Sequence, residues 1–411
     1  VNISSFIAHR IAFNQQKSFS RFIIRLSITA TVISVAAMIL TLSFVNGFQD
    51  VVSQKVFSFW GHIRIGYRQP MKAQLAEEEP IEKNDSVVRA VKTLPGVRSI
   101  HPFATKNAIL KTAEEMDGVL IKGLDASYDS AHLAPFLKQG RWLRFSDSSY
   151  AREIVISEYT ATQLQLKLGE RLLIYFVRGD GSLRPDRLTI VGIYKTGIEQ
   201  YDKHFALCDI ALIRRLNSWE SGEIGGYEIF LNDYEDMDAT STAIFNNAAF
   251  PQLWETQTTR EKYPDIFDWL NIVSNNGSIL IVIVTIIVII NFITCLIILV
   301  LERVRMIGVL KAVGASNWTI QKIFLNHSVL ITVAGILLGT AISLALIWLQ
   351  QKTGLVHLKE AEYYMDTAAV KIDWRQIALV NGATLMVSVL VLLIPSLLVR
   401  KIQPIKAIRF R

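Results

Sequence analysis

Four uncharged apolar runs, each long enough to cross a bilayer, constrain this chain more than any other feature. A hydrocarbon core about 30 Å thick needs roughly 20 residues at a helical rise of 1.5 Å. The runs are residues 26–45 (LSITATVISVAAMILTLSFV), 278–301, 323–349 and 377–399, the last with Pro395 near its end. A removable signal peptide has a shorter apolar region with small residues behind it. The first run continues instead into Asn46-Gly47-Phe48-Gln49, so a retained helix is expected. The second run is rich in Ile and Val, which favour strands in water but serve well in a lipid-facing helix. With 51% hydrophobic residues and a mean hydropathy of +0.32, the chain is more apolar than a soluble fold of its length. The expected fold class is a polytopic α-helical membrane protein, with four transmembrane helices and a large extracytoplasmic α+β domain.

Charge sets the expected orientation, because cytoplasmic segments carry an excess of Lys and Arg. Residues 1–25 hold Arg10, Lys17, Arg21 and Arg25 and no acid; residues 302–322 hold Arg303, Arg305, Lys311 and Lys322 against Glu302 alone. Residues 400–411 add five basic residues and no acid, whereas 351–375 are balanced at four of each sign. The formal charge of +7 is thus a one-sided basic excess over an acidic remainder, the pattern of topology determinants and anionic-lipid contacts rather than of nucleic-acid binding. Both termini and the 302–322 loop are expected in the cytoplasm.

The segments then read as a cytoplasmic amphipathic stretch 1–25 and transmembrane helix 26–47. An external α+β domain 48–276 and transmembrane helix 277–301 follow. After these come a cytoplasmic loop 302–322, transmembrane helix 323–350, external loop 351–375, transmembrane helix 376–399 and a basic tail 400–411. Within the external domain, residues 118–123, 153–156, 171–177 and 187–194 alternate like strands, and 86–94 and 236–246 have helical spacing. Gly179-Asp180-Gly181-Ser182 fits a hairpin turn. His62, His101, His132 and His204 are scattered, Ser157 and Ser182 lie in no nucleophile-elbow sequence, and no glycine-rich phosphate loop occurs. Cys208 and Cys295 are poorly placed to meet. Such a domain is expected to bind or dock rather than catalyse.

The loop Glu302-Arg-Val-Arg-Met-Ile-Gly-Val-Leu-Lys-Ala-Val-Gly-Ala-Ser316 is the most specific segment. Met306, Val309, Leu310 and Val313 follow helical spacing, and Gly314 ends the pattern. An interfacial connector and a partner-docking helix both satisfy it. Gly335, Gly339 and Ser343 recur every four residues and offer a flat packing stripe, within the chain or to a second copy. Asn291 and Asn381, deep in their runs, and Asn326 and His327 at a run's cytoplasmic end suit hydrogen bonds between helices. Along the first run Met38, Thr41, Leu42, Val45 and Phe48 share a face, which suits either helix packing or an apolar chamber.

The loop sequence resembles the R-x-x-E-I-G-x-L-[KR]-A-x-G-A-[ST] signature of FtsX/MacB-type ABC permeases, with Met306 in place of the usual Glu. Residues 395–409 resemble the family's P-x-x-x-A-x-x-x-x-P-x-x-A-[IL]-R ending, with Val399 in place of Ala. Ser43-Phe-Val-Asn-Gly-Phe48 and Gly61-His62-Ile63 resemble segments of lipoprotein-releasing permeases, LolC and LolE. Ile121-Lys-Gly-Leu-Asp125 and Leu166-Lys-Leu-Gly-Glu170 resemble their external domain, a ferredoxin-like portion interrupted by a second α+β portion.

The resemblance implies a non-catalytic subunit coupled to a cytoplasmic ABC ATPase dimer, which would bind ATP and Mg while this chain binds no cofactor or metal itself. It implies a second permease subunit, lipoprotein cargo and a periplasmic LolA-type carrier. On that reading Arg305, Met306, Ile307, Val309, Leu310, Lys311, Val313, Gly314, Ala315 and Ser316 couple to the ATPase. The stripe from Met38 to Phe48 would line the cargo cavity. The alternatives are a MacB-like mechanotransmission permease and an FtsX-like regulator of a cell-wall hydrolase, whose external domain is usually smaller.

Overall fold

The computed structural model describes residues 19–69, 78–145, 150–177 and 181–396. The chain divides into a membrane unit and a second unit formed by residues 50–268 and 358–366. The expected amphipathic stretch before residue 19, the basic tail and the final turn of the fourth run lie outside the described residues.

Among the described residues, five helices lie wholly or partly in the membrane unit: α1 Phe19–Trp60, α2 Pro264–Glu302, α3 Val304–Ala312, α4 Asn317–Thr353 and α5 Trp374–Ser396, with residues 50–60 of α1 and 264–268 of α2 belonging to the second unit. Four of them are long and apolar enough to cross a membrane. Two exceed their apolar runs substantially. The apolar run ends near Val45, yet no residue stops the helix until Gly61, whose φ of +65° closes it with a hydrogen bond from its amide to the Phe57 carbonyl. At 1.5 Å per residue α1 is about 63 Å long, twice the hydrocarbon thickness. α2 likewise begins at Pro264, well before residue 277, with proline in the first turn where its missing N–H costs nothing. Trp318 and Trp348, both more than half exposed, mark opposite ends of α4. They are about 45 Å apart along the helix, the span of a bilayer with its headgroup regions.

Small and polar residues join the helices. A Cβ on Gly335 would lie 2.7 Å from Thr31 Cβ, and one on Gly339 would lie 2.9 Å from the Val32 carbonyl oxygen, so this stripe seats α4 on α1 of the same chain. Ser343 is fully buried and donates to the Thr340 carbonyl. Ser27 donates to Asn291 at 3.1 Å and Thr340 to Asn381 at 3.2 Å, so both deep asparagines tie neighbouring helices together. Asn326 is half-buried.

Among the described residues the second unit is α+β around a ten-stranded sheet. Its strands are β1 Ile63–Tyr67, β2 Val97–Lys111, β3 Met116–Leu124, β4 Leu137–Gly140 and β5 Glu153–Ser157. β6 Arg171–Val177, β7 Leu183–Tyr194, β8 Phe205–Asp209, β9 Gly226–Leu231 and β10 Trp254–Thr258 complete it. One end reads β10-β1-β9-β2, all antiparallel, with helices Asp85–Lys92 and Met237–Phe245 in the β1–β2 and β9–β10 connections. That is a ferredoxin-like βαββαβ arrangement with residues 112–225 inserted between its second and third strands. The insertion continues the sheet because β2 is long: its first half pairs with β9 and its second half with β3 and β6. Val177 pairs with Leu183 across the hairpin expected at 179–182, where Gly181 has φ +77° and residues 178–180 lie outside the described set.

Candidate functional site

The loop between α2 and α4 is built by three signals in succession. α3 ends in a Schellman motif around Gly314, at φ +92°, with the Ala315 amide bonded to the Leu310 carbonyl and the Gly314 amide to the Lys311 carbonyl. Ser316 then caps α4 by accepting from the Thr319 amide. Ile307 is fully buried against Val288, Phe292, Val300, Ile320 and Phe324, and Met306, Leu310 and Ala315 pack on that cluster.

The four residues that share helical spacing therefore divide between two surfaces. Met306 and Leu310 lean inward, while Val309 and Val313 are 54% and 83% exposed. Arg305 is exposed beside them and Lys311 half-buried. The inward face anchors the helix to α2 and α4. The outward valines present an apolar pair beside basic groups.

The stripe on α1 is in contact with α2 in this conformation. Met38 and Val45 are buried, and Thr285 of α2 lies against the Met38 sulfur at 3.9 Å. A Cβ on Gly277 would stand 2.7 Å from Val45 Cγ2 and 3.7 Å from Thr41 Cγ2. Phe48 meets Trp269 edge to face at 4.8 Å. Leu42 is half-buried on the adjoining cluster of Val35, Ile39 and Ile377.

The next residues along α1 hold the approach to α5. Ser43 and Lys371 exchange hydrogen bonds, with Ser43 Oγ donating at 2.9 Å and the Lys371 amide donating at 3.0 Å. Asn46 donates to Gln376 at 2.6 Å. Gly47 must be glycine, since its Cβ would fall 2.6 Å from the Ala369 carbonyl oxygen. The Ser43-to-Phe48 segment is thus a three-way helix joint.

A family model described as MacB-like periplasmic core domain matches residues 26–245, and one described as FtsX-like permease C-terminal matches residues 278–404. Together they span nearly all of the chain. It belongs to the FtsX/MacB-type ABC permeases. Similarity to curated transmembrane proteins also runs almost end to end. The lipoprotein-releasing system transmembrane protein LolC of Neisseria meningitidis is 22% identical, over 96% of this chain and 96% of its own length. LolE of Haemophilus influenzae is 22% identical over 98% of both, and LolC of the same organism 24% identical over 95% and 94%.

The permease also contains a buried cluster with no local sequence signature, at the point where α1 ends. Lys122 Nζ bonds Glu228 at 2.7 Å and donates to the Phe59 carbonyl; the two charged side chains are 1% and 0% exposed. Phe59, Trp60 and Tyr128 surround the ammonium within 6 Å. Burial lowers the Lys122 pKa to about 8 against the pull of Glu228. Arg64 bonds Glu78 at 3.0 Å and lies between the Trp60 and Phe103 rings.

Gly61-His62-Ile63 is the turn from α1 into β1. Gly61 accepts from Thr259 Oγ1, the His62 amide donates to the Ile229 carbonyl, and His62 Nδ1 accepts from the Leu231 amide. The four domain histidines play structural or surface roles. His62 stacks on Phe57 and His132 on Phe230, both at 4.1 Å, while His101 is buried beside Tyr128 and His204 is exposed. Ser157 caps a helix and Cys208 is buried. Among the described residues, no group of three His, Cys, Asp or Glu is placed to hold a metal ion.

Proposed function

We propose that this permease couples ATP hydrolysis by a separate cytoplasmic ATPase to the release of lipoproteins from the inner membrane to a periplasmic carrier. The observation that carries the proposal is the near end-to-end similarity to LolC and LolE, curated as parts of a lipoprotein-releasing system. The chemistry requires an energy source. Each buried methylene of an acyl chain contributes about 0.8 kcal/mol, so a lipid-anchored protein does not leave a bilayer unaided on a useful timescale.

In this reading both termini and α3 are cytoplasmic, as the basic excess favours. Val309 and Val313 dock on an ATPase dimer that binds ATP and Mg. A second permease subunit, the same chain or a related one, completes the membrane assembly. The Met38-to-Phe48 stripe receives acyl chains when α1 parts from α2, and a LolA-type carrier accepts them outside. The packing that closes the stripe makes that parting a required step.

Mechanotransmission of the MacB kind is the second reading. It is favoured by the 42-residue α1, which runs without a break from its apolar run to the domain strand that follows. Isolation of the assembled transporter separates the two: co-isolated acylated lipoproteins that leave on addition of ATP support release, and an external adaptor or channel protein without lipoprotein overturns it.

A further inference from the structure

The loop between α4 and α5 does not fold as one piece. Its base belongs to the membrane unit: His357 bridges Thr367, the Ala368 amide donates to the Val356 carbonyl, and Gln350 at the end of α4 bonds both Val356 and Ala368. Its middle, residues 358–366, belongs to the other unit. There the short helix Glu360–Tyr363 lies with Glu360 bonded to Lys195 at 2.8 Å, and Lys55 donates to the Tyr364 carbonyl at 2.6 Å. Tyr364 itself sits at φ +57°, a region that a bulky residue rarely occupies unless its surroundings hold it there.

The receiving surface is shaped for this contact. Gly197, at φ +76°, has no room for a side chain: a Cβ would lie 2.6 Å from Glu360 Oε1 and 2.8 Å from Lys55 Nζ. Asp202, nearly buried, fixes that turn by accepting from the Thr196 amide and hydroxyl and from the Gly197 amide, each at 2.9 Å. Beside the contact lies a cleft of about 630 Å³, lined by Glu158, Tyr159, Thr162, Gln163 and Glu360 among others, into which the segment has room to shift. By contrast Lys359 and Glu362 pair with each other, 3.1 Å apart and well exposed.

We propose that residues 358–366 are a strap clamped to the external domain by Glu360 on Lys195 and Tyr364 on Lys55, and that this clamp carries movement of α4 and α5 into the domain. The stiff base passes motion of the helices to the strap, and the clamp passes it on. The proposal rests on the chain working with an ATPase but not on the nature of its cargo.

The test uses the full chain with its partner ATPase in lipid nanodiscs, without cargo, and measures amide exchange with and without ATP and vanadate. In the unaltered protein, exchange of residues 196–202 and of the Glu362, Tyr363 and Tyr364 amides changes on nucleotide trapping. In Lys195→Glu, which sets like charges against Glu360 and Glu158, the strap amides exchange about three- to tenfold faster and the response at 196–202 falls at least threefold. Glu360→Gln moves both in the same direction, and Lys359→Gln moves neither. A full response at 196–202 in both Lys195→Glu and Glu360→Gln, or no response in the unaltered protein, overturns the proposal. Failure of lipoprotein release in a separate assay refutes the cargo reading alone.

Discussion

A disulfide between α1 and α2 tests whether the Met38-to-Phe48 stripe opens. The ideal Cβ of Gly277 lies 3.8 Å from Val45 Cβ, the mean separation in disulfides, so Val45→Cys with Gly277→Cys should oxidise with little backbone movement. The native thiols at Cys208 and Cys295 are first replaced by Ala. Oxidation then holds the helices in contact at the centre of the stripe. Each methylene kept out of the seam forfeits about 0.8 kcal/mol, so excluding only two weakens the hold on an acyl chain by about 1.6 kcal/mol, roughly fifteenfold. Disulfide formation is read by protection from a thiol-reactive mass tag, and function by ATP-dependent release of a triacylated protein from proteoliposomes to a soluble carrier. The expected result is at least a tenfold loss of release on oxidation and recovery on reduction. Full release from a completely oxidised sample would refute the idea that cargo occupies this seam.

Orientation is checked by single cysteines: one at Gly181 should react with an impermeant reagent added outside, and one at Asn317 should not. Val309→Asp should leave the permease folded, since Val309 is 54% exposed, yet abolish ATPase binding or stimulation; normal stimulation would make α3 a connector only. For His62, burial lowers the pKa to about 3, so the unfolded region binds more protons between pH 6.5 and 3 and stability falls as pH drops through that window. Near pH 5 the loss is about 2 kcal/mol, seen as faster exchange of the Leu231 amide, and His62→Gln should flatten the dependence. Lys122→Met leaves Glu228 buried without its partner and should cost about 3–5 kcal/mol, whereas Lys122→Met with Glu228→Leu should recover most of it. Equal losses in the single and double variants would remove the ion pair as the cause.

The membrane helices were legible because hydropathy reports lipid contact directly, but it reports nothing about a helix outside lipid. The outer third of α1, residues 48–60 (FQDVVSQKVFSFW), mixes charged and polar residues with apolar ones, so it forms no bilayer-length uncharged run and the expected helix ends at 47. Here Gly47 is inside the helix because it lets Ala369 approach, a contact with residues more than three hundred positions away. Periodicity found α3 but merged two surfaces, since Met306, Val309, Leu310 and Val313 fall on one arc while Ile307 and Gly308 are the most buried residues of the helix. Lys122 lay within an expected strand, where a lysine ordinarily marks a solvent-facing position. Its partner is 106 residues distant, and only the fold brings the two charges together.

That pairing bears on how the end of α1 is held within its unit. A buried ion pair is a poor source of stability, because desolvation of the two charges offsets most of their attraction. Its value lies in direction: Lys122 makes a second polar contact, with the Phe59 carbonyl in the last turn of α1, where the helix dipole favours a cation. An apolar contact would let the helix end slide. The ammonium, fixed between Glu228 and that carbonyl, gives it a defined position and orientation. Gly61 adds a tight closure, and Thr259 bonds the carbonyl just beyond it. Near its middle the same helix is joined to α2 through Phe48 and to the approach of α5 through Gly47. Each of these places is fixed by contacts within its own unit, close-packed at Gly47 and polar at Phe59, so each should be tested by substitutions at that place alone.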